Sequence, residues 1–190
     1  MTPVSPAQAR LRQATSGLHA RLNACFEHDL RDAASYHRYL QGMHGLLHAL
    51  AAADVGLDAA FASHRAHLQA DLAATGAGVL STPPHDGIRI AGDSERLGAR
   101  YVIEGSSLGA RVLLRQAQAL GHDPECGATF LAYHVRHGLL HWPRCLQALA
   151  ACDPDAADFA VLMQAARDTF ALAATCFGQP HHARGSADGR

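Results

Sequence analysis

A cation, an imidazole and an amide share one face of the first predicted helix. Arg12, His19 and Asn23 are separated by seven and then four residues, so a helix places them in one row beside its apolar stripe. The imidazole of His19 in such a row is a candidate metal ligand. The alternative is an ordinary boundary histidine, which the chain's fourteen histidines favour when His19 is taken alone.

Three glycines mark one face of a later helix. Gly98, Gly105 and Gly109 lie at i, i+7 and i+11, and each glycine costs a helix interior about 1 kcal/mol relative to alanine. Something must therefore approach that backbone closely. A flat ligand would use the bare surface, and so would a tightly packed neighbouring helix, and the spacing leaves both alternatives open.

Histidines recur at helical spacing in two further segments. His44 and His48 are four residues apart, and His134, His137 and His141 follow at i, i+3 and i+7, so each set could present a metal-binding face. The chain has only four glutamates, and none lies in a Glu-x-x-His motif, which argues against a ferritin-like di-iron site. We expect most of these imidazoles to face solvent.

Helical periodicity predicts the elements that position these side chains. The capping-box form of residues 5–8 predicts a first helix that continues to about residue 30, and second and third helices are predicted over 35–56 and 58–74. The Gly- and Pro-rich residues 75–92 predict one long loop. The apolar stripe of the first helix is Leu11, Ala14, Leu18, Leu22 and Cys25.

The second half of the chain predicts helices separated by turns. Asp93 or Ser94 should cap a fourth helix that ends near Gly121. The Asp-Pro steps at 123–124 and 153–154 predict two more helix starts, and Pro143 should kink or split the helix between them. The last helix should end at Gly178. It has one apolar face, formed by Phe159, Leu162, Ala166, Phe170, Ala173 and Phe177.

The predicted architecture is all-α, a single-domain bundle of about six or seven helices over residues 1–178 with a disordered tail at 179–190. The net charge of -1 argues against nucleic-acid and membrane partners. No signal peptide or apolar span is visible, so we expect a soluble, cytoplasmic protein. The odd number of cysteines and the absence of a CxxC pair predict reduced, mostly buried thiols at Cys25, Cys126, Cys145, Cys152 and Cys176.

Two segments resemble sequence motifs of one enzyme family. LRQATSGLHARLN, residues 11–23, resembles the proximal-helix motif of haem oxygenases, and YVIEGSSLGARVL, residues 101–113, resembles the distal-helix motif of their bacterial branch. HWPRCLQAL and AARDTFALAATCF are similar to that family's later helices, so the resemblance covers roughly residues 8 to 178. It points to the biliverdin-producing enzymes of bacteria, among them those associated with bacteriophytochromes.

The resemblance implies a haem held between a proximal helix and a glycine-kinked distal helix. It makes His19 the axial iron ligand and places Gly105 and Gly109 over the other haem face, where bare backbone can steer oxygen. Ser106 and Ser107 would offer hydroxyls near the oxygen site, with protons supplied through water because no Asp is present there. The haem-binding set is completed by Arg12 as a propionate partner, with Thr15, Asn23 and Tyr101.

Three departures from the family pattern are visible. Asn23 stands where the family usually has Glu, and its carbonyl could still orient the imidazole without supplying a negative charge. Ala110 replaces a frequent glycine, and residues 134–138 replace a stretch usually richer in Gly and Thr.

The implied activity is oxidative cleavage of haem, as substrate and cofactor, with O2 to biliverdin, carbon monoxide and ferrous iron. The chain contains no GxGxxG turn and no flavin motif, so a partner reductase or ferredoxin is expected as electron donor. The purpose is either biliverdin for a bacteriophytochrome or the iron itself. Two alternatives remain open: a haem carrier or sensor of the same fold without turnover, and a His-rich helical protein that binds zinc or nickel.

Overall fold

The computed structural model describes residues 4–24, 30–79 and 88–178. These residues form six helices and no strand. The predicted all-α bundle is confirmed, whereas the predictions for Cys25, for the middle of the long loop and for the 179–190 tail lie outside the described residues. In chain order the helices are α1 (Pro6–Ala24), α2 (Ala33–Ala53), α3 (Val55–Thr75), α4 (Asp93–Ala119), α5 (Thr129–Ala150) and α6 (Ala157–Phe177).

Local capping sets the ends of the first three helices. Leu30 is not helical, so α1 is shorter than predicted. The α2 helix begins two residues before Ser35, because Asp32 and Ser35 form a reciprocal capping box. It ends before Gly56, since the Asp54 carboxylate accepts a hydrogen bond from the Leu57 amide and so starts α3.

Both Asp-Pro steps form turns and not helix caps. Asp123 accepts hydrogen bonds from two following backbone amides, and Asp153 accepts one from residue 155, so each carboxylate is used before a helix begins. The cap of α5 comes from another helix, where Asp71 of α3 accepts from the amides of Thr129 and Phe130. The predicted starts of α5 and α6 are therefore wrong by several residues.

Pro143 does not split α5, which is one helix from Thr129 to Ala150. The proline is exposed, so water can hydrate the carbonyl group that loses its amide donor. The predicted side-chain cap of α4 is also absent, because Gly92 occupies the cap position and Asp93 is the first helical residue.

Two apolar clusters hold the bundle together. One lies mainly among α2, α3 and α5 and contains the fully buried Tyr36, Leu47, Phe61 and Phe130. The other joins α1, α4 and α6 and contains Phe159, Leu162, Ala166 and Phe170 of the predicted apolar face of α6. Of the rest of that face, Ala173 is buried and Phe177 is half-buried against the first cluster. Each large apolar side chain buried in this way stabilises the fold by roughly 1.5–3 kcal/mol. Within the described residues, no helix has the length and apolarity to cross a membrane.

The cysteines follow the prediction only in part. Cys145 and Cys176 are buried, Cys152 is half-buried and Cys126 is exposed. All four are free thiols, as expected from the absence of a CxxC pair.

Candidate functional site

The row predicted on α1 forms, and His19 is exposed at its centre. Asn23, one turn further on, places its amide nitrogen 3.2 Å from Nδ1 of His19, and the His19 and Phe170 rings form an edge-to-face pair with their centroids 6.0 Å apart. In this orientation the amide donates to Nδ1, and the ring proton of the neutral imidazole is on Nε2. A half-turn of the amide brings its oxygen to Nδ1 and frees Nε2 as a ligand.

Three of the predicted haem-binding residues meet where α1 approaches α4. Burial raises the pKa of Tyr101, while a hydrogen bond with Thr15 and the nearby charge of Arg12 oppose that rise. Arg12 itself is exposed and Thr15 is buried. His19 follows Thr15 by one turn of α1, and Gly105 follows Tyr101 by one turn of α4.

The three glycines of α4 lie in three different environments. A Cβ at Gly98 would collide with the carbonyl oxygen of Leu162, so close packing against α6 explains this glycine. A Cβ at Gly105 would lie 3.4 Å from the indole ring of Trp142. At Gly109 it would meet no atom of the described residues within 4 Å, apart from its own helix and neighbours. The sequence left two explanations for these glycines, close helix packing and a bare surface for a flat ligand. Helix packing explains Gly98, whereas Gly109 provides open surface.

Ser106 and Ser107 point to different surroundings. Ser107 is buried and fills the space beside Gly138, which lets α5 approach α4 closely. Ser106 is exposed, and its hydroxyl lies 2.8 Å from the Ile103 carbonyl oxygen and 2.8 Å from Nε2 of His134. Most of the histidines at helical spacing were expected to face solvent, and His134, which is buried, departs from that expectation.

A polar chain connects Ser106 to the interior. Nδ1 of His134 lies 3.1 Å from Nε2 of His64, which comes from α3. If Ser106 donates to the Ile103 carbonyl, His134 must donate from Nε2 and accept at Nδ1, and His64 must donate from Nε2. Nδ1 of His64 is then the bare acceptor, and it has no partner among the described residues.

Burial keeps both imidazoles of this chain neutral. Desolvation, with the neighbouring His137, lowers the pKa of His134 to about 4, against a partial opposing effect of Glu104. Desolvation and the surrounding histidines lower the pKa of His64 to about 2. The sequence analysis did not select His64, although its position between Phe61 and Leu68 on the buried stripe of α3 would have indicated burial.

The remaining histidines of α5 belong to the same region. Nε2 of His137 lies 3.2 Å from the buried carboxylate of Glu104, and the His137 and His141 rings are stacked with centroids 3.7 Å apart. His64 also packs against His137, with 4.4 Å between ring centroids. We call His64, His134, His137, His141 and Glu104 the histidine cluster.

Comparison with known proteins rests on structure. No family model matches the chain, and no curated protein sequence matches it. A crystal structure of the NO- and CO-bound haem oxygenase from Neisseria meningitidis superposes with a TM-score of 0.68, over 95% of this chain and 96% of that chain. This chain has the haem oxygenase fold.

The shared fold confirms the architecture predicted from the motifs. The two sequences are 23% identical, so the likeness establishes the fold alone. The axial role of His19, the roles of the other predicted site residues, the electron donor and the bacteriophytochrome branch stay predictions. We call Arg12, Thr15, His19, Asn23, Tyr101, Gly105 and Gly109 the predicted haem face.

Proposed function

We propose that this protein is a haem oxygenase that opens haem to biliverdin, carbon monoxide and ferrous iron. The observation that supports the proposal most strongly is the exposed His19, fixed at Nδ1 by Asn23, on the first helix of a haem oxygenase fold. The distal-type motif on α4 adds a glycine with open space beside it.

The residues present fit a haem group. An iron ligand must be reachable, and the His19 ring is exposed. A flat ring system needs bare backbone or apolar neighbours, and Gly109 and the Phe170 ring beside His19 supply these. The propionates need a cation, and Arg12 is exposed seven residues before His19.

Bound haem supplies both the iron that activates oxygen and the ring that is cut, with electrons from outside the chain. His19 would hold the haem through Nε2, and Asn23 would set the orientation of the imidazole from Nδ1 once its amide oxygen faces that atom. Gly109 would keep the space beside α4 open, since any side chain there would project into it.

Ser106 is the residue of this chain best placed to handle protons. Its oxygen accepts from His134 while its own hydrogen is directed to the Ile103 carbonyl, and rotation of the hydroxyl would offer that hydrogen to a water molecule on the exposed side. His134 thus fixes the position of Ser106.

The external partner we propose is a ferredoxin or a reductase, since the haem oxygenase fold here has no motif for a flavin or nicotinamide. A bacteriophytochrome is the proposed recipient of biliverdin where chromophore supply, and not iron release, is the purpose.

Turnover is tested by incubating the one-to-one haem complex with ascorbate or a reductase in air. Catalase is added to both the sample and a bovine serum albumin–haem control, so that free peroxide cannot degrade the ring. We expect the Soret band to decay only with the protein, with biliverdin recovered by extraction and carbon monoxide trapped by added myoglobin. A Soret band that persists with bound haem would instead identify a carrier or sensor.

A further inference from the structure

We propose that Glu104, His137 and His141 form a binding site for a divalent transition-metal ion. The site lies between α4 and α5, apart from the predicted haem face. The inference does not depend on the proposed haem chemistry, because all three ligands belong to the histidine cluster and none has been given a role toward haem.

The three side chains have the spacing that a small metal ion requires. One ligand atom from each lies within 4.8 Å of the other two. Tetrahedral zinc sites have bond lengths of about 2.0–2.1 Å, which corresponds to roughly 3.3 Å between neighbouring ligand atoms. The 3.2 Å from Nε2 of His137 to Oε1 of Glu104 matches this edge, and the ligand atom of His141, on the next turn, is within 4.8 Å of both residues.

The carboxylate of Glu104 lacks the partners that a buried charge needs. Glu104 is 1% exposed, and its Oε2 has no hydrogen-bond partner within the described part of the chain. Arg100 is its neighbouring cation, but Nη2 stands 3.7 Å from Oε1, beyond ordinary hydrogen-bond length. A buried carboxylate oxygen without a partner is costly, and a metal ion bound to it would remove that cost.

The contacts around His137 allow the ligating form. The Tyr133 hydroxyl lies 3.4 Å from Nδ1 of His137 and can accept a hydrogen placed there, which leaves the lone pair of Nε2 directed at Glu104. A metal ion would then take the place of the Nε2 hydrogen between the imidazole and the carboxylate.

The donor set selects the class of ion. Two imidazoles and one carboxylate suit Zn²⁺, Co²⁺, Ni²⁺ and Fe²⁺, whereas Mg²⁺ and Ca²⁺ prefer sets made of oxygen atoms. The half-buried His141 provides access from solvent. The Glu104 side chain is directed at α5. Glu104 directly precedes Gly105 of the predicted haem face, and one residue corresponds to a rotation of about 100° around α4, so the two residues face different directions.

The experiment is titration of the untagged, haem-free protein with Co²⁺, followed by its visible absorption, and with Zn²⁺, followed by calorimetry. We expect one Co²⁺ per chain with the strong visible bands of a four- or five-coordinate ion. Loss of an outer partner lowers metal affinity by about 10- to 100-fold, so Glu104→Gln and His141→Ala should each lose at least that much.

Matched variants separate this site from the other histidines. His48→Ala removes one member of the i, i+4 pair on α2, whose rings are also stacked, and His19→Ala removes the predicted axial ligand. Both should keep the wild-type cobalt spectrum and affinity. Circular dichroism establishes that each variant is folded.

Results of two kinds would overturn the proposal. One is unchanged affinity in both Glu104→Gln and His141→Ala when both are folded. The other is wild-type binding without the visible bands, or a loss in His48→Ala as large as that in His141→Ala, since either would show that metal binds to scattered surface histidines.

Discussion

The predicted haem face and the histidine cluster both contain histidines on helices, but these histidines are in opposite environments. His19 is exposed, and its hydrogen-bond partner Asn23 lies four residues along its own helix. His134 and His64 are buried, neutral and hydrogen-bonded across three helices. A ligand can reach the first directly, whereas the second is a fixed polar network whose geometry depends on the fold.

This difference predicts whether removal of a histidine affects ligand binding, stability or both. An exposed imidazole can bind a ligand without large cost to the fold, so its removal should affect binding and not stability. Removal of a residue from a buried network should affect both function and stability. Each member is the hydrogen-bond partner of another, so its loss leaves a polar group without a partner inside the protein.

The sharpest test of the comparison uses two glycines of α4. Gly98→Leu should lower the free energy of unfolding by about 3 kcal/mol or more, because a side chain there overlaps the backbone of α6. Gly109→Leu should change it by about 0.5 kcal/mol or less and abolish haem turnover, since its side chain would project into open space. Urea unfolding and the turnover assay measure the two effects.

The opposite pattern would break the distinction. Full turnover in folded Gly109→Leu would mean that oxygen chemistry does not use this surface, and a stable Gly98→Leu would mean that the approach of α6 is not needed for packing.

A second prediction concerns the buried network. His134→Leu should lower the free energy of unfolding by about 1–3 kcal/mol, because it leaves the Nε2 hydrogen of His64 without its acceptor. It should also slow turnover by releasing Ser106. His134→Gln, which offers an amide in the same place, serves as the control and should recover part of both losses. Equal behaviour of the two variants would remove hydrogen bonding as the cause.

The pH dependence of stability should reveal the same network. The folded pKa values of about 4 for His134 and about 2 for His64 lie below the ordinary 6.5, so protons bind preferentially to the unfolded chain. Their contribution is full above pH 6.5 and falls as the pH drops toward about 4, with a slope up to about 1.4 kcal/mol per pH unit for each histidine. Urea unfolding between about pH 7 and 4.5 gives the free energy of unfolding as a function of pH. Its slope should be smaller in His134→Gln than in the wild type, by the equivalent of up to one proton. Parallel curves for the two proteins would contradict the low pKa of His134.

The smallest expected effect lies at the second residue of the α1 pair. Asn23→Glu should lower the ferric reduction potential of bound haem, because a carboxylate at Nδ1 makes the His19 imidazole a stronger electron donor than an amide does. Redox titration of wild type and variant measures the shift. Coincident potentials and coincident iron–histidine stretching frequencies would show that residue 23 has no influence on the ligand.

Much of the fold could be predicted from local signals. Helical periodicity predicted an all-helical bundle, and the apolar stripe of α6 is buried as expected except for the half-buried Phe177. The errors occur where a distant residue determines the outcome. The α5 helix starts at Thr129 because Asp71 of α3 caps it, and no signal near residue 129 contains that information.

The site divides in the same way. The pairing of His19 with Asn23 could be predicted from their i, i+4 spacing alone. The sequence analysis expected the amide carbonyl to face the ring, whereas the structure has the amide nitrogen there. Most of the histidines at helical spacing, including those of α5, were expected to face solvent, because hydropathy treats histidine as polar. The partners that bury His134 and His137, namely Ser106, Glu104 and His64, come from α4 and α3. Burial of a polar residue depends on partners that only the fold brings together.

The most direct test of the central claim is titration of the protein with hemin, followed at the Soret band, in wild type and in His19→Ala. We predict one haem per chain for the wild type, with the spectrum of a histidine-ligated iron. His19→Ala should lose that spectrum and turnover while its circular dichroism remains that of a folded helical bundle. An unchanged Soret spectrum and affinity in folded His19→Ala would contradict the account, as would a wild-type protein that binds no hemin.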